Sequence, residues 1–173
     1  MIKILKNEGE EKFKDFYFVT AALDKNTTNK NIKYLIVHDN KIICTDSRRL
    51  HILLETDLEK GFYEVIKRTK SEIILSKNKE DQTVVQYDQV IPTDLVNKKK
   101  IKWDEARILC VNISNLFKNL SDNNTIQIKF LEDLQGTYDV YMEQFTNDLP
   151  VLFKNEKRMA ILMPCQIVKT NKY

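Results

Sequence analysis

The order of strand-like and helix-like patterns constrains the fold of this chain more than any other feature of its sequence. The alternating run at 1–5 predicts a short strand, and residues 9–23 follow with apolar side chains at helical spacing. Several strand patterns come next, and the order of strand, helix and strands returns after residue 104. This repetition predicts an α+β protein with two strand-helix-strand repeats, whose helices pack side by side on antiparallel sheets.

The individual elements follow from apolar alternation and from turn residues. Asp39-Asn40 is typical of a tight hairpin turn, here between strands at 33–38 and 41–45. Further strands are predicted at 48–55, 62–68, 71–77, 82–87, 107–111, 125–131, 137–143 and 158–163. The second helix is predicted to carry Leu116, Phe117 and Leu120. We therefore predict one domain over 1–173, with halves at roughly 1–60 and 104–167 and with 61–103 as inserted strands and connection.

Composition and charge exclude several classes of protein. Hydrophobic residues make up 42% of the 173 residues, which is enough for a core and excludes wholesale disorder. No apolar run approaches the ~20 residues that a membrane helix needs, and the N-terminus carries no signal-peptide pattern, so we expect a cytoplasmic protein. The net charge of +3 is only mildly basic and does not indicate strong non-specific nucleic-acid binding.

Motifs of catalysis and cofactor binding are absent from the sequence. With only 3 glycines, the chain carries neither of the glycine-rich phosphate-binding motifs. The three cysteines, Cys44, Cys110 and Cys165, lie in apolar runs and are expected to be buried reduced thiols, because no metal-ligand spacing joins them to His38 or His51. We therefore expect no enzymatic activity, no cofactor and no metal.

Four short stretches, taken in chain order, resemble one family. Residues 44–50 (CTDSRRL) form a turn like that family's ATDGHRLA, and 87–92 (YDQVIP) are similar to its FPDYRRVLP. Residues 110–120 (CVNISNLFKNL) resemble its last strand-to-helix passage, and 161–165 (ILMPC) resemble its terminal VVMPMR. Together they resemble the bacterial DNA polymerase III β sliding clamp, of which this chain looks like a short or divergent member.

The resemblance implies a DNA clamp-like fold and a non-catalytic role in DNA replication or repair, as a sliding-clamp-like processivity factor. Its partners would be duplex DNA, held weakly and without sequence preference by a monomer, a polymerase or other clamp-binding peptide, and further copies of the chain. Carried over position by position, the partner-peptide pocket would be lined by Thr45, Ser47, Arg48, Leu50, Val90, Ile161 and Met163. The surface facing DNA would carry Lys12, Lys14, Lys25 and Lys118.

Departures from the family pattern keep a second function open. Ser47 and Arg48 replace a Gly-His pair, and Asp88 and Gln89 replace two arginines. These changes indicate an altered choice of partner or a lost pocket. The alternative is therefore a stand-alone interaction protein, for example one encoded by a mobile element, that keeps the clamp fold but forms no ring and does not encircle DNA.

Two charged stretches have simpler structural interpretations. Asp46 precedes Arg48 and Arg49 and is expected to cap backbone N–H groups and to form an ion pair within the turn. The run 98–100, with Lys102 close behind it, is expected to be a solvated connection between the two halves.

Overall fold

The structure is a computed structural model, and it describes residues 1–24, 26–29, 32–79, 83–104, 112, 113, 116, 124–142 and 149–166. The chain forms two compact units. The first contains Met1–Tyr87 together with Glu156–Ala160, and the second contains Asp88–Asn155 together with Ile161–Tyr173. The boundary at 87/88 differs from the halves proposed above, and the assignment of the whole chain to one clamp-like domain stays a prediction.

The first unit is an antiparallel sheet with one long helix. Its strands are β1 (Ile2–Leu5), β2 (Leu35–His38), β3 (Lys41–Thr45), β4 (Arg49–Leu53), β5 (Gly61–Arg68) and β6 (Glu72–Lys77). They are ordered β1-β6-β5-β2-β3-β4, and the helix α1 (Glu10–Ala21) packs against β4, β3, β1 and β6. The predicted order of strand, helix and three strands is thus present here, and β5 and β6 lie inside the same sheet.

Local sequence explains these elements. Asp39 (φ 49°) and Asn40 (φ 56°) both adopt left-handed backbone conformations, which is the geometry of the two-residue turn predicted for the hairpin. Helix α1 buries Phe13, Phe16 and Val19, and all of its charged residues are exposed or half-buried; the side chain of Asp15 is largely buried and pairs with Arg158 at 2.7 Å. The buried stripe predicts the helix correctly because its spacing follows the helical period.

The second unit contains three neighbouring antiparallel strands and a short separate strand pair. The strands β7 (Lys99–Trp103), β9 (Tyr138–Met142) and β10 (Val151–Lys154) are ordered β10-β9-β7, and β8 (Asn124–Thr125) pairs with β12 (Cys165–Gln166). A short helix, α2 (Ile128–Leu131), lies between β8 and β9, and a 3₁₀ helix spans Tyr87–Val90. The strand β11 (Arg158–Leu162) begins in the first unit and ends in the second.

An aromatic cluster forms the core of the second unit. The ring of Phe153 meets those of Trp103 and Tyr138 edge-on, at centroid distances of 5.7 and 6.5 Å. The Trp103 indole N–H donates to the carbonyl of Leu134 at 3.1 Å, so that its polar atom is satisfied although the residue is buried. Trp103, the only tryptophan of the chain, therefore reports on this unit.

Three predicted elements differ from the structure. The strand predicted at 125–131 is wrong beyond Thr125: Phe130 and Leu131 are consecutive and both buried, which a helical turn allows. The strand predicted at 82–87 is wrong over 83–87, where only Tyr87 is buried and the backbone turns into the 3₁₀ helix. The connection predicted at 98–100 is wrong as well, since Lys99 begins β7.

The predicted second helix falls mainly outside the described residues. Asn112, Ile113 and Leu116 are described and are helical, whereas the strand predicted at 107–111 and the positions of Phe117 and Leu120 lie in undescribed segments. Asn112 donates from its side-chain amide to the carbonyl of Asp104 at 2.8 Å. The α+β class is present, and the second strand-helix-strand repeat stays a prediction.

Candidate functional site

The turn between β3 and β4, which carries four predicted pocket residues, is held by one carboxylate. Asp46 Oδ1 accepts the backbone N–H groups of Arg48 and Arg49, both at 3.0 Å, and Asp46 Oδ2 accepts Arg49 Nε at 3.0 Å. Thr45 adds a second set of bonds, because its hydroxyl donates to the Arg49 carbonyl at 2.8 Å and accepts the Ser47 N–H at 3.1 Å. The prediction that Asp46 caps the turn and forms an ion pair is confirmed.

The backbone of this turn is strained at one residue. Ser47 has φ 67°, in the left-handed region that costs a non-glycine residue about 1–2 kcal/mol. A glycine at this position would adopt the same conformation without this cost. The exposed residues at its tip are Ser47 and Arg48, and Arg48 uses only its backbone N–H within the turn.

The same turn is fastened to the C-terminal end of α1. Arg49 Nη2 donates to the carbonyl of Ala21 at 2.5 Å, and His51 Nδ1 donates to the carbonyl of Phe18 at 2.8 Å. The last turn of α1 contains no basic residue of its own, so these groups from β4 satisfy the free carbonyls, and the charged Arg49 also interacts favourably with the helix dipole. The position of the turn is therefore coupled to the position of the helix.

Arg68, on β5, also binds the C-terminal end of α1. Its Nη2 donates to the carbonyl of Tyr17 at 3.1 Å, and its Nε donates to Thr20 Oγ1 at 3.2 Å. The guanidinium carbon lies 3.8 Å from the centroid of the Tyr17 ring, which adds a cation–π contact. Nothing in the local sequence of β5 indicates this role, since Arg68 and Tyr17 are 51 residues apart.

His51 is a structural residue rather than a catalytic one. It is fully buried and stacks on Phe18 at a centroid distance of 4.5 Å. Burial, with smaller contributions from the nearby Arg49 and Arg68, lowers the pKa of His51 to about 3, so the ring is neutral, and Nδ1 carries the proton that it donates to Phe18. On β3, Cys44 pairs directly with His51, and burial raises the pKa of its thiol.

The predicted pocket residues fall into two groups. Thr45, Ser47, Arg48 and Leu50 are brought together by the turn in the first unit, where Leu50 is buried. The members in the second unit are Val90, Ile161 and Met163. Ile161 is buried, whereas Val90 and Met163 expose 44% and 37% of their surface. Whether the two groups line one pocket stays a prediction.

The predicted DNA-facing lysines of α1 already have partners. Lys12 Nζ lies 3.0 Å from Asp57 Oδ2, and Lys14 Nζ lies 3.3 Å from Glu11 and 3.5 Å from Glu10. Hydrogen bonding to Glu11 raises the pKa of Lys14, and the hydrogen bond from Lys12 lowers that of Asp57. Lys25 and Lys118 lie outside the described residues.

The described residues contain no metal centre of the kind that supports catalysis. In the part of the chain that the structure describes, no group of three His, Cys, Asp or Glu side chains is placed to hold a metal ion. Cys44 is a buried free thiol and Cys165 a half-buried one, and Cys110 lies in an undescribed segment. No helix among the described residues is long and apolar enough to cross a membrane.

The chain resembles solved structures in its fold rather than in its sequence. No protein-family model matches the chain, and no curated protein matches its sequence. The solved structures it resembles include the DNA polymerase III β subunit of Thermotoga maritima (TM-score 0.59, 10% identity) and the C. crescentus β sliding clamp (0.59, 13%), each match covering 96% of this chain and 65% of that one. The Helicobacter pylori β clamp bound to a DNA ligase peptide matches with a TM-score of 0.58 and 11% identity, over 91% of this chain and 64% of that one.

These likenesses establish the fold. The chain has the fold of bacterial β sliding clamps, as the four motifs predicted, and it spans less than two thirds of the length of these neighbours. At 10–13% identity the likeness concerns architecture alone, so what the chain binds has to be argued from its own residues.

Proposed function

We propose that this chain is a non-catalytic, clamp-like accessory protein of DNA replication or repair, which acts by encircling DNA, by binding a partner peptide, or by both. The observation that carries the proposal is the clamp fold over 91–96% of the chain. In this proposal the finer architecture is two strand-helix-strand repeats with their helices side by side. Its place of action would be the cytoplasm, as expected from the sequence.

The partner site of the proposal is the surface at the turn between β3 and β4. The H. pylori neighbour was solved with a DNA ligase peptide, which supports looking for a peptide here. In the first unit, the exposed Ser47 and Arg48 would meet polar atoms of the peptide. In the second unit, Val90 and Met163 expose apolar atoms of the kind that a hydrophobic anchor contacts, and their share in the same site is part of the proposal. The guanidinium of Arg48 favours a peptide with a carboxylate beside its anchor.

A peptide-binding measurement tests this site. The probe is a labelled peptide carrying the clamp-binding segment of a bacterial replicative polymerase, followed by fluorescence anisotropy. We expect Met163→Ala and Arg48→Ala to weaken binding by about tenfold each, whereas Val96→Ala, which truncates another exposed apolar residue, should have no effect. Unchanged affinity in both site variants would show that the carried-over pocket is wrong.

The proposed binding of DNA depends on whether several copies of the chain assemble into a ring. Because Lys12 and Lys14 are paired with carboxylates, an isolated copy should hold linear duplex weakly, and any binding at low salt should disappear as salt rises. Light scattering after size-exclusion chromatography measures the oligomer, since encirclement requires a closed ring. Sequence-specific binding of the isolated chain that survives ~200 mM salt would contradict this part of the proposal and indicate base readout.

The alternative is a clamp-fold interaction protein that forms no ring. One observation favours keeping it: Lys12 and Lys14 of α1 are paired with carboxylates and offer little free positive charge to a duplex. A monomer that binds the peptide but is not retained on circular DNA would support this alternative. A nuclease assay with Mg²⁺ or Mn²⁺, with chelator as the control, tests the further proposal that the chain is not an enzyme.

A further inference from the structure

One face of the strands β7, β9 and β10 carries mainly charged side chains, and its apolar member, Leu152 opposite Tyr141, is buried. In an antiparallel pair, residues directly opposite each other lie on the same face. Lys100 is opposite Tyr141, and Lys102 is opposite Asp139, while Lys154 is opposite Asp139 from the other side. These five residues therefore share one face, which we call the lysine face.

The opposite face of these strands forms the core, so the lysine face is directed away from it. Trp103, Tyr138 and Val140 alternate with the lysine-face residues along β7 and β9, and all three are buried. Lys100, Lys102 and Lys154 are exposed, and Tyr141 is half-buried.

The charges on this face do not cancel. Asp139 accepts an ion pair from Lys100 at 2.8 Å and another from Lys102, so a single carboxylate serves two ammonium groups. These hydrogen bonds lower the pKa of Asp139, which keeps it ionised. Lys154 has no ion pair within the described part of the chain. Three cations against one anion leave a net charge of +2 on the face.

The geometry is a flat cationic array with an aromatic ring inside it. Lys100 and Lys102 are two residues apart on one strand, hence about 6.7 Å apart along it, and Lys154 lies two strand spacings away, at about 9.6 Å. Lys100 Nζ lies 5.4 Å from the centroid of the Tyr141 ring. Lysines around a sheet-borne aromatic are the arrangement by which single-stranded nucleic acids are held through phosphates and stacked bases.

We propose that the lysine face binds a single-stranded nucleic acid, with its phosphates on Lys100, Lys102 and Lys154 and a base on Tyr141. The aromatic ring favours a nucleic acid over an acidic protein segment, which would use the charges alone. The proposal goes beyond the function proposed above, because this surface is on the sheet rather than on the helices and requires neither a ring nor the peptide pocket.

The test is binding of a labelled oligo-dT to the full chain at low salt. Lys100→Glu with Lys102→Glu should weaken binding at least tenfold, whereas Lys60→Glu with Lys70→Glu, the same charge change on exposed lysines of the first unit, should change it less than threefold. Three phosphate contacts predict a slope of about −2 in log K against log salt, at about −0.7 per contact.

Three further variants separate a binding role from a structural one. Asp139→Asn frees two lysines, so it should tighten oligo-dT binding by at least threefold even though it removes two ion pairs from the fold. Tyr141→Leu should weaken binding about fivefold or more, and Tyr141→Phe should retain it, because the stacking surface remains. Circular dichroism shows whether each variant is folded.

Three outcomes would overturn the proposal. The first is equal binding by the Lys100/Lys102 and Lys60/Lys70 variants, and the second is weaker binding by Asp139→Asn when that variant is folded. The third is displacement of oligo-dT by an oligoglutamate of equal charge together with no effect of Tyr141→Leu, which would assign the face to an acidic protein segment.

Discussion

Removing the Asp46 carboxylate tests whether this side chain holds the candidate partner turn in place. Asp46→Ala deletes the acceptor of two backbone N–H groups and of the Arg49 guanidinium, all at 3.0 Å. Hydrogen bonds to a charged group contribute about 1.5–3 kcal/mol each, and the partly exposed turn can recover some of this from water. We therefore expect the free energy of unfolding of the first unit to fall by about 2–4 kcal/mol.

The variant Asp46→Asn separates the contribution of the backbone hydrogen bonds from that of the ion pair with Arg49. The amide oxygen can still accept the N–H groups of Arg48 and Arg49, but the amide cannot form the ion pair with Arg49 Nε. We expect Asp46→Asn to lower the free energy by about 1–2 kcal/mol, roughly half of the alanine effect. Asp88→Ala, at an exposed carboxylate in the second unit, is the matched control and should change stability by less than about 0.5 kcal/mol.

The assay has to resolve the first unit, since Trp103 fluorescence reports on the second. Amide hydrogen exchange followed by NMR does so, because the Arg48 and Arg49 amides should lose protection in Asp46→Ala while amides of β9 and β10 keep theirs. Urea unfolding followed by far-ultraviolet circular dichroism supplies the free energy. A cost of Asp46→Ala below about 0.5 kcal/mol, or unchanged protection of both amides, would refute the reasoning.

Three further predictions concern the same region. Ser47→Gly should raise the free energy of unfolding by about 0.5–1 kcal/mol because it relieves the left-handed strain, and Ser47→Val should lower it by about 1–2 kcal/mol in the same urea assay. Because the pKa of His51 is depressed in the folded chain, only the unfolded chain binds a proton at this residue between pH 6.5 and 3. The free energy of unfolding should therefore fall by up to about 1.4 kcal/mol per pH unit as the pH drops through this range. In His51→Gln, the free energy of unfolding should depend less on pH between pH 6.5 and 5. Arg68→Met should lower the free energy of unfolding by about 2–3 kcal/mol and speed amide exchange in the last turn of α1, because it removes both hydrogen bonds to the helix. Arg68→Lys should restore only part of this stability. Unchanged amide exchange at the helix end would show that Arg68 is dispensable there.

Elements set by neighbouring residues were predictable from the sequence. The hairpin at Asp39-Asn40, the helix α1 and the cap at Asp46 each depend on side chains within about four positions, so the pattern contains the whole cause. The clamp fold was predictable from the order of four motifs that are individually short. The fastening of the turn to α1 was not predictable, because Arg49, His51 and Arg68 reach carbonyls that are 28–51 residues away.

The strand β7 was not predicted from the sequence because most of its residues are lysines. Its sequence KKIKW alternates lysine with Ile101 and Trp103, which is the period of a strand with one solvated face. Four lysines in five residues, counting from Lys98, suggested a linker instead. The alternation was the usable signal, and it would also have identified the lysine face, whose members on β9 and β10 only the pairing register can supply.

The paired lysines of α1 decide what kind of DNA binding this chain can have. Around Lys12 and Lys14 lie three carboxylates, those of Glu10, Glu11 and Asp57, so this surface has no excess positive charge to offer a duplex. Exposed ion pairs contribute little to stability, so a DNA phosphate can replace the carboxylate partner of each lysine. Such a replacement releases few counterions and therefore adds little to the affinity for DNA. A closed ring needs no net attraction, because it retains DNA by topology. Retention on nicked circular DNA at high salt, lost when the circle is cut, is therefore the behaviour expected of encirclement, whereas equal loss from circular and linear DNA would mean that the chain acts without enclosing it.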